Sequence, residues 1–241
     1  MDLSKKINQG LFLEALDELE PLIENGTTDN NILYQAGVCY YQLNKHPEAI
    51  ECFEKIIEST DDAYKQEACL LAGYSYKSLK KWKSSLNSFK IFIEKFPEHP
   101  KCDLVSLLIA LCYEELEDFE NANKIYQKVF DESREKEFQE EALFRKALCL
   151  ENQGEFSQAR QIYEEVLSRE GEERDTLEVK FRIAVCFFRQ NLYSDSIEVL
   201  DDIVTKSDKT FLTTLANELR RVATLRRSET EKSIRAYNQS H

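Results

Sequence analysis

Glycine and proline are scarce in this chain: among 241 residues there are six of the first and four of the second. That shortage removes the punctuation on which turn-rich sheet proteins depend. With 32% charged and 11% aromatic residues, the composition favours helices, and an all-α fold is the expectation. The length suffices to bury a substantial core. No apolar run approaches the roughly 18 residues of a membrane span, so membrane insertion is not expected. The opening "MDLSKKINQGLFLEALDELE" lacks the apolar centre of a secretory signal. An odd number of cysteines, seven, then points to free thiols in a reducing compartment and a cytoplasmic location.

Positive charge is also in short supply. A formal net charge of -13 argues against a nucleic-acid partner, because neutralising phosphates requires clustered Lys and Arg. The distribution is uneven: residues 217–241 hold Arg220, Arg221, Arg226, Arg227, Lys232 and Arg235 against Glu218, Glu229 and Glu231, a tail near +3 on a body near -16. Such a tail either docks on its own body, meets another acidic surface, or stands as a solvated helix end.

The chemistry of catalysis is missing as well. Three histidines, His46, His99 and His241, fall at a bend, in a loop and at the terminus, where no scaffold holds them as a general base. His99 and Cys102 form the only close Cys/His pair, in a loop. There is no CxxC for zinc and no glycine-rich loop for phosphate. The chain is therefore expected to be no enzyme and to carry no cofactor and no metal.

What is present is repetition. Four cysteines share one frame: "QAGVCYYQL" around Cys39, "LIALCYEEL" around Cys112, "RKALCLENQ" around Cys149 and "RIAVCFFRQ" around Cys186, with Ser75 in the fifth copy. Aligned on this frame, units begin at Asn30, Gln66, Asp103, Glu140 and Leu177, spaced by 36, 37, 37 and 37 residues. Each reads as two amphipathic helices that cannot enclose a core alone but can when stacked. Equivalent positions in successive units lie about 10 Å apart, too far for thiolates to share one zinc at about 2.3 Å each or to pair as disulfides. The cysteines are expected to be small buried hydrophobes.

Within each unit a small residue, Gly37, Gly73, Ala110, Ala147 or Ala184, precedes Tyr40, Tyr76, Tyr113, Leu150 or Phe187 by three. After a bend marked by Trp82, Phe119, Phe156 or Tyr193 (His46 in the first copy), Ala49, Ser85, Ala122, Ala159 or Ser196 precedes Phe53, Phe89, Tyr126, Tyr163 or Leu200 by four. Pro97 alone closes a unit with proline. This pattern resembles the tetratricopeptide repeat. The resemblance implies a right-handed superhelical α-solenoid of helix-turn-helix repeats: a truncated N-terminal repeat at 1–28, five full repeats at 30–63, 66–99, 103–136, 140–173 and 177–210, and a capping helix at 211–237 with Leu212, Leu215, Leu219 and Val222 on one stripe.

In that family the first helices line a concave groove that binds peptides or helices. The corresponding face is Tyr34, Val38 and Tyr41; Leu70, Tyr74 and Lys77; Leu107 and Leu111; Phe144 and Leu148; then Phe181, Val185 and Phe188, with carboxylates such as Glu67, Glu114, Glu141, Glu151 and Glu178 towards its edges. The Lys/Asn/Arg set with which some members clamp a C-terminal carboxylate is absent, since Tyr34, Gln35, Val38, Glu67 and Leu71 stand there. The implied function is a non-catalytic adaptor or scaffold taking an apolar peptide or an amphipathic helix. Alternatives are a chaperone-like holder of a secreted or assembling client and a structural subunit of an envelope or cytoskeletal assembly. Self-association is a further possibility: the groove is otherwise filled by the chain's own C-terminal helix, by a second copy, or by packing within the array.

Overall fold

A computed structural model describes residues 3–169, 176–206 and 211–240. Thirteen helices and no strand occur among them, in the order α1 (Leu3–Asn8), α2 (Phe12–Glu24), α3 (Asn30–Gln42), α4 (His46–Glu58), α5 (Lys65–Ser78), α6 (Trp82–Lys95), α7 (Cys102–Glu115), α8 (Phe119–Glu132), α9 (Lys136–Asn152), α10 (Phe156–Arg169), α11 (Thr176–Arg189), α12 (Tyr193–Lys206) and α13 (Phe211–Ser240). The expected ends of the fourth and fifth repeats, 170–173 and 207–210, lie outside the described residues, as do Met1, Asp2 and His241. No described helix is long and apolar enough to cross a membrane.

The chain divides into two compact units, Met1–Ile125 and Tyr126–His241, with the division inside α8. In the first unit α1 to α7 pack consecutively, and in the second α9 to α13 do so; first helices also touch one another where α1 meets α3, α3 meets α5 and α11 meets α13. This is the α-solenoid arrangement: each hairpin lends its apolar face to the next.

One turn geometry recurs at the bends within hairpins. Gly10, Asn44, Lys80, Glu117, Gly154 and Asn191 all take positive φ, between 55 and 82°. The next residue's N–H reaches back to the last turn of the first helix, Lys45 to the Tyr40 carbonyl at 2.8 Å and Asp118 to that of Tyr113 at 2.9 Å. The left-handed residue itself bonds one carbonyl further on, Asn44 to Tyr41 and Glu117 to Glu114. These paired bonds satisfy carbonyls that a helix end leaves open. They also set the second helix to begin two residues later, at the aromatic position.

Close crossing explains the small residues. A Cβ on Gly37 would lie 2.6 Å from Phe53 Cε1, and Gly73 faces Phe89 in the same way. Ala184 instead shares its cluster with the narrower Leu200. Where the second-helix small residue is serine, its hydroxyl finds a use: Ser85 donates to the Gly73 carbonyl and Ser196 to that of Ala184, both at 2.9 Å. Cys39, Cys112, Cys149 and Cys186 are fully buried, free thiols.

The first described hairpin opens with α1, six residues long. At the other end α13 takes the place of another first helix. The buried positions on it are Thr213, Ala216 and Ala223, while Leu212, Leu215 and Leu219 are half-buried and Val222 is exposed, so the packed stripe is turned relative to the expected one. The cause is register. Ala216 and Ala223 stand where Val179 and Cys186 stand in α11, and the side left open carries the polar Asn217, Glu218 and Arg221.

Candidate protein-binding face

In the first unit, Tyr34, Val38 and Tyr41 follow one another at i, i+4 and i+7 on α3, and Leu70, Tyr74 and Lys77 do so on α5, which places each trio on one side of its helix. Leu107 and Leu111 continue the register on α7. All are half-buried except Leu70, which is 6% exposed and lies in the core with Phe89, Phe92, Val105 and Leu108. Leucine is shorter than the tyrosine at the equivalent place in α3 and sinks between the helices.

The rings are held from below. Tyr74 meets Phe89 edge-on with centroids 5.6 Å apart, and Tyr41 meets His46 at 5.7 Å. Tyr34 stacks on Tyr64 at 4.7 Å with 16° between the ring planes. Tyr64 lies ahead of α5 at φ 65°, a left-handed conformation that a bulky side chain rarely adopts. Its hydroxyl donates to Asn31 Oδ1 at 3.1 Å, and Gln35 Nε2 donates to the same oxygen at 3.1 Å. Gln35 Oε1 is enclosed without a hydrogen-bond partner. Burial, with Glu67 nearby, pushes the Tyr34 phenol up, and burial does the same to Tyr74, so both remain protonated donors. The hydroxyls of Tyr34, Tyr41 and Tyr74 have no hydrogen-bond partner among the described residues.

In the second unit the same register gives a more enclosed face. Phe144 is 9% exposed, tilted against Tyr163 at 5.8 Å, and belongs to the core with Leu143, Ala147 and Val166. Leu148, Phe181, Val185 and Phe188 are half-buried, Phe188 meeting Tyr193 edge-on at 5.6 Å. The carboxylates at its edge are engaged: Glu141 pairs with Arg145 at 2.7 Å, and Glu151 accepts from the Tyr163 hydroxyl at 2.8 Å and from Arg182 at 3.3 Å. Glu178 lies 3.7 Å from Arg182. The two Glu151 contacts fasten α10 and α11 to α9.

The aromatic three residues past each small residue lies elsewhere, against the preceding second helix. Tyr40 donates to Glu20 at 3.2 Å, Tyr76 donates to Glu54, Lys90 sits 5.2 Å over the Tyr113 ring and Arg160 4.8 Å over that of Phe187. Among the described residues no group of three or more His, Cys, Asp and Glu is placed to hold a metal. His99 and Cys102 serve their own loop: His99 Nδ1 accepts from Lys101 N at 3.1 Å, and the Cys102 thiol donates to the Phe96 carbonyl at 3.2 Å.

Two contributors escape a sequence reading. Tyr64 falls between helices, outside any period, and nothing in its neighbours announces its backbone. Asn30, 5% exposed, uses its amide to hold the loop after α4, donating to Ser59 Oγ, Asp61 O and Ala63 O. The polar residue opening the first full repeat is the only signal it leaves.

The family model for the tetratricopeptide repeat matches residues 31–62, and a second model of the same description matches 67–99, 105–133 and 141–171. Together they span more than half of the chain. No characterised protein sequence matches. Among solved structures, the MamA protein is similar with a TM-score of 0.61 at 15% identity, over 73% of this chain and 91% of its own. YrrB, a protein of these repeats with an unusual peptide-binding site, is similar at 0.60 and 18% identity over 83% and 97%. MamA from Desulfovibrio magneticus RS-1 follows at 0.56 and 18% over 70% and 93%. At such identities the likeness shows the fold.

Proposed function

Because the chain belongs to the tetratricopeptide repeat family, we propose that it is a non-catalytic scaffold that binds another protein, and that the first-helix face of its first unit takes up an apolar peptide or an amphipathic helix. The observation that carries the reading is the set of three half-buried tyrosines, Tyr34, Tyr41 and Tyr74, whose hydroxyls have no hydrogen-bond partner among the described residues. Each ring offers apolar area at small cost in side-chain entropy, and each hydroxyl a donor for a peptide carbonyl. Held by Tyr64, His46 and Phe89, the rings are already oriented, which lowers the ordering cost of association. Lys77 at the end of the α5 trio suits a ligand carboxylate or carbonyl. YrrB's peptide-binding site is consistent with this use of the fold.

The second unit carries an apolar face of its own, Leu148, Phe181, Val185 and Phe188, with Phe144 supporting it from within. Selection from a displayed library of random peptides against the purified chain tests the reading. Peptides with two or more apolar anchors are expected, and their binding should weaken at least tenfold in Tyr34→Ser/Tyr41→Ser and persist in Glu94→Ser on α6. Binding that is indifferent to the tyrosines overturns it.

A further inference from the structure

The end of α13 is exposed on all sides among the described residues. α12 has 14 residues and α13 has 30, and they pack together after a short connection. Buried positions on α13 stop at Ala223, Arg220 still pairs with Asp201 at 2.7 Å, and every side chain from Ser228 to Gln239 is exposed. About 18 Å of helix, at 1.5 Å per residue, therefore projects. It carries Ile234, 55% exposed, and Tyr237, 63% exposed, at i and i+3 on one side. Among the described residues Arg226 and Arg227 pair with exposed neighbours on the helix, Glu229 and Glu231. Lys232 and Arg235 make no ion pair among the described residues.

The same unit contains a surface of complementary chemistry. Between α10 and α12 runs a groove of about 680 Å³ with a floor of Leu167, Ile183, Phe187 and Val199. Its rim is acidic. Glu164 and Asp202 already pair with Arg160 at 2.6 Å and Lys180 at 2.7 Å, but Asp195 and Glu198 make no ion pair among the described residues. From Asp195 to Thr205 the groove follows α12 for about 15 Å, three helical turns, which matches the projecting segment. The segment cannot fold back into its own groove, because α13 is one continuous helix over Phe211–Ser240 and reversing its end would break its backbone hydrogen bonds.

We propose that the projecting end of α13 docks in the α10–α12 groove of a second copy of this chain, with Ile234 and Tyr237 on the apolar floor and Lys232 and Arg235 against Asp195 and Glu198. This interface uses none of the residues assigned to peptide binding and stands independently of that reading. Burial of the two anchors supplies affinity, and the opposed charges supply register and sensitivity to salt.

Sedimentation equilibrium of the full chain at low and high ionic strength tests it. Association is expected at low salt, weakening at least tenfold at high salt. Ile234→Asp/Tyr237→Asp and Asp195→Lys/Glu198→Lys should each be monomeric with unchanged helical circular dichroism. Mixing Asp195→Lys/Glu198→Lys with Lys232→Glu/Arg235→Glu should restore association that neither shows alone. A wild-type chain that stays monomeric at every concentration overturns the proposal, as does association that survives the groove variant.

Discussion

At Gly37 two preferences collide. Alanine is the better helix former by about 1 kcal/mol, yet its methyl would meet the buried Phe53 ring at 2.6 Å, and overpacking of this kind costs about 1–3 kcal/mol. Gly37→Ala is therefore expected to lower stability by about 1 kcal/mol in urea unfolding, and the loss should shrink in the background of Phe53→Leu, the combination that Ala184 and Leu200 already use. Ser75 presents the opposite case. Its hydroxyl is fully buried without a partner at the place where the other copies have cysteine, so Ser75→Ala should raise the melting temperature, by about 1 kcal/mol of stability. The small-residue frame was legible because it recurs five times, with cysteine in four of the copies; the missing partner of Ser75 was not, because a hydroxyl's partners depend on which way the helix turns it.

Among the elements, the bends carry strain that differs from copy to copy. Glu117 and Lys80 hold a left-handed backbone at φ 58 and 55° with a Cβ in place, whereas Gly154 does so without one. Glu117→Gly is expected to stabilise, and Gly154→Ala to destabilise, each by about 1 kcal/mol in thermal or urea unfolding; opposite signs would mean that the turn is not held as described. The bends were visible in the sequence through the aromatic residue that follows them, but their left-handed residue was not, since Asn, Lys, Glu and Gly share no chemistry. The trios on α3 and α5 were expected from the family resemblance, and their i, i+4, i+7 spacing puts each on one side of its helix. Spacing says nothing of depth, however, which is why Leu70 and Phe144 sit in the core while Tyr34, Tyr41 and Tyr74 remain accessible.

For the molecule as a whole, burial dictates its response to pH. Burial pushes the thiols of Cys39, Cys52 and Cys69 up to about 11 and that of Cys186 to about 12, against about 8.5 in an unfolded chain. Between these values the unfolded state has lost protons that the folded state retains, so stability falls as pH rises from about 8.5 towards 11. The melting temperature should drop across that range, and less steeply in Cys186→Ala. The family, and with it the stacked architecture, was legible in the sequence from its period. The proposed binding face rests on what each ring touches, and a direct measurement tests it. With the photo-crosslinking residue p-benzoylphenylalanine placed at Tyr41 or at Glu94, a library-selected peptide should crosslink from position 41 and not from position 94. Crosslinking from 94 alone, or equally from both, would contradict the assignment of the first-helix face as the binding surface.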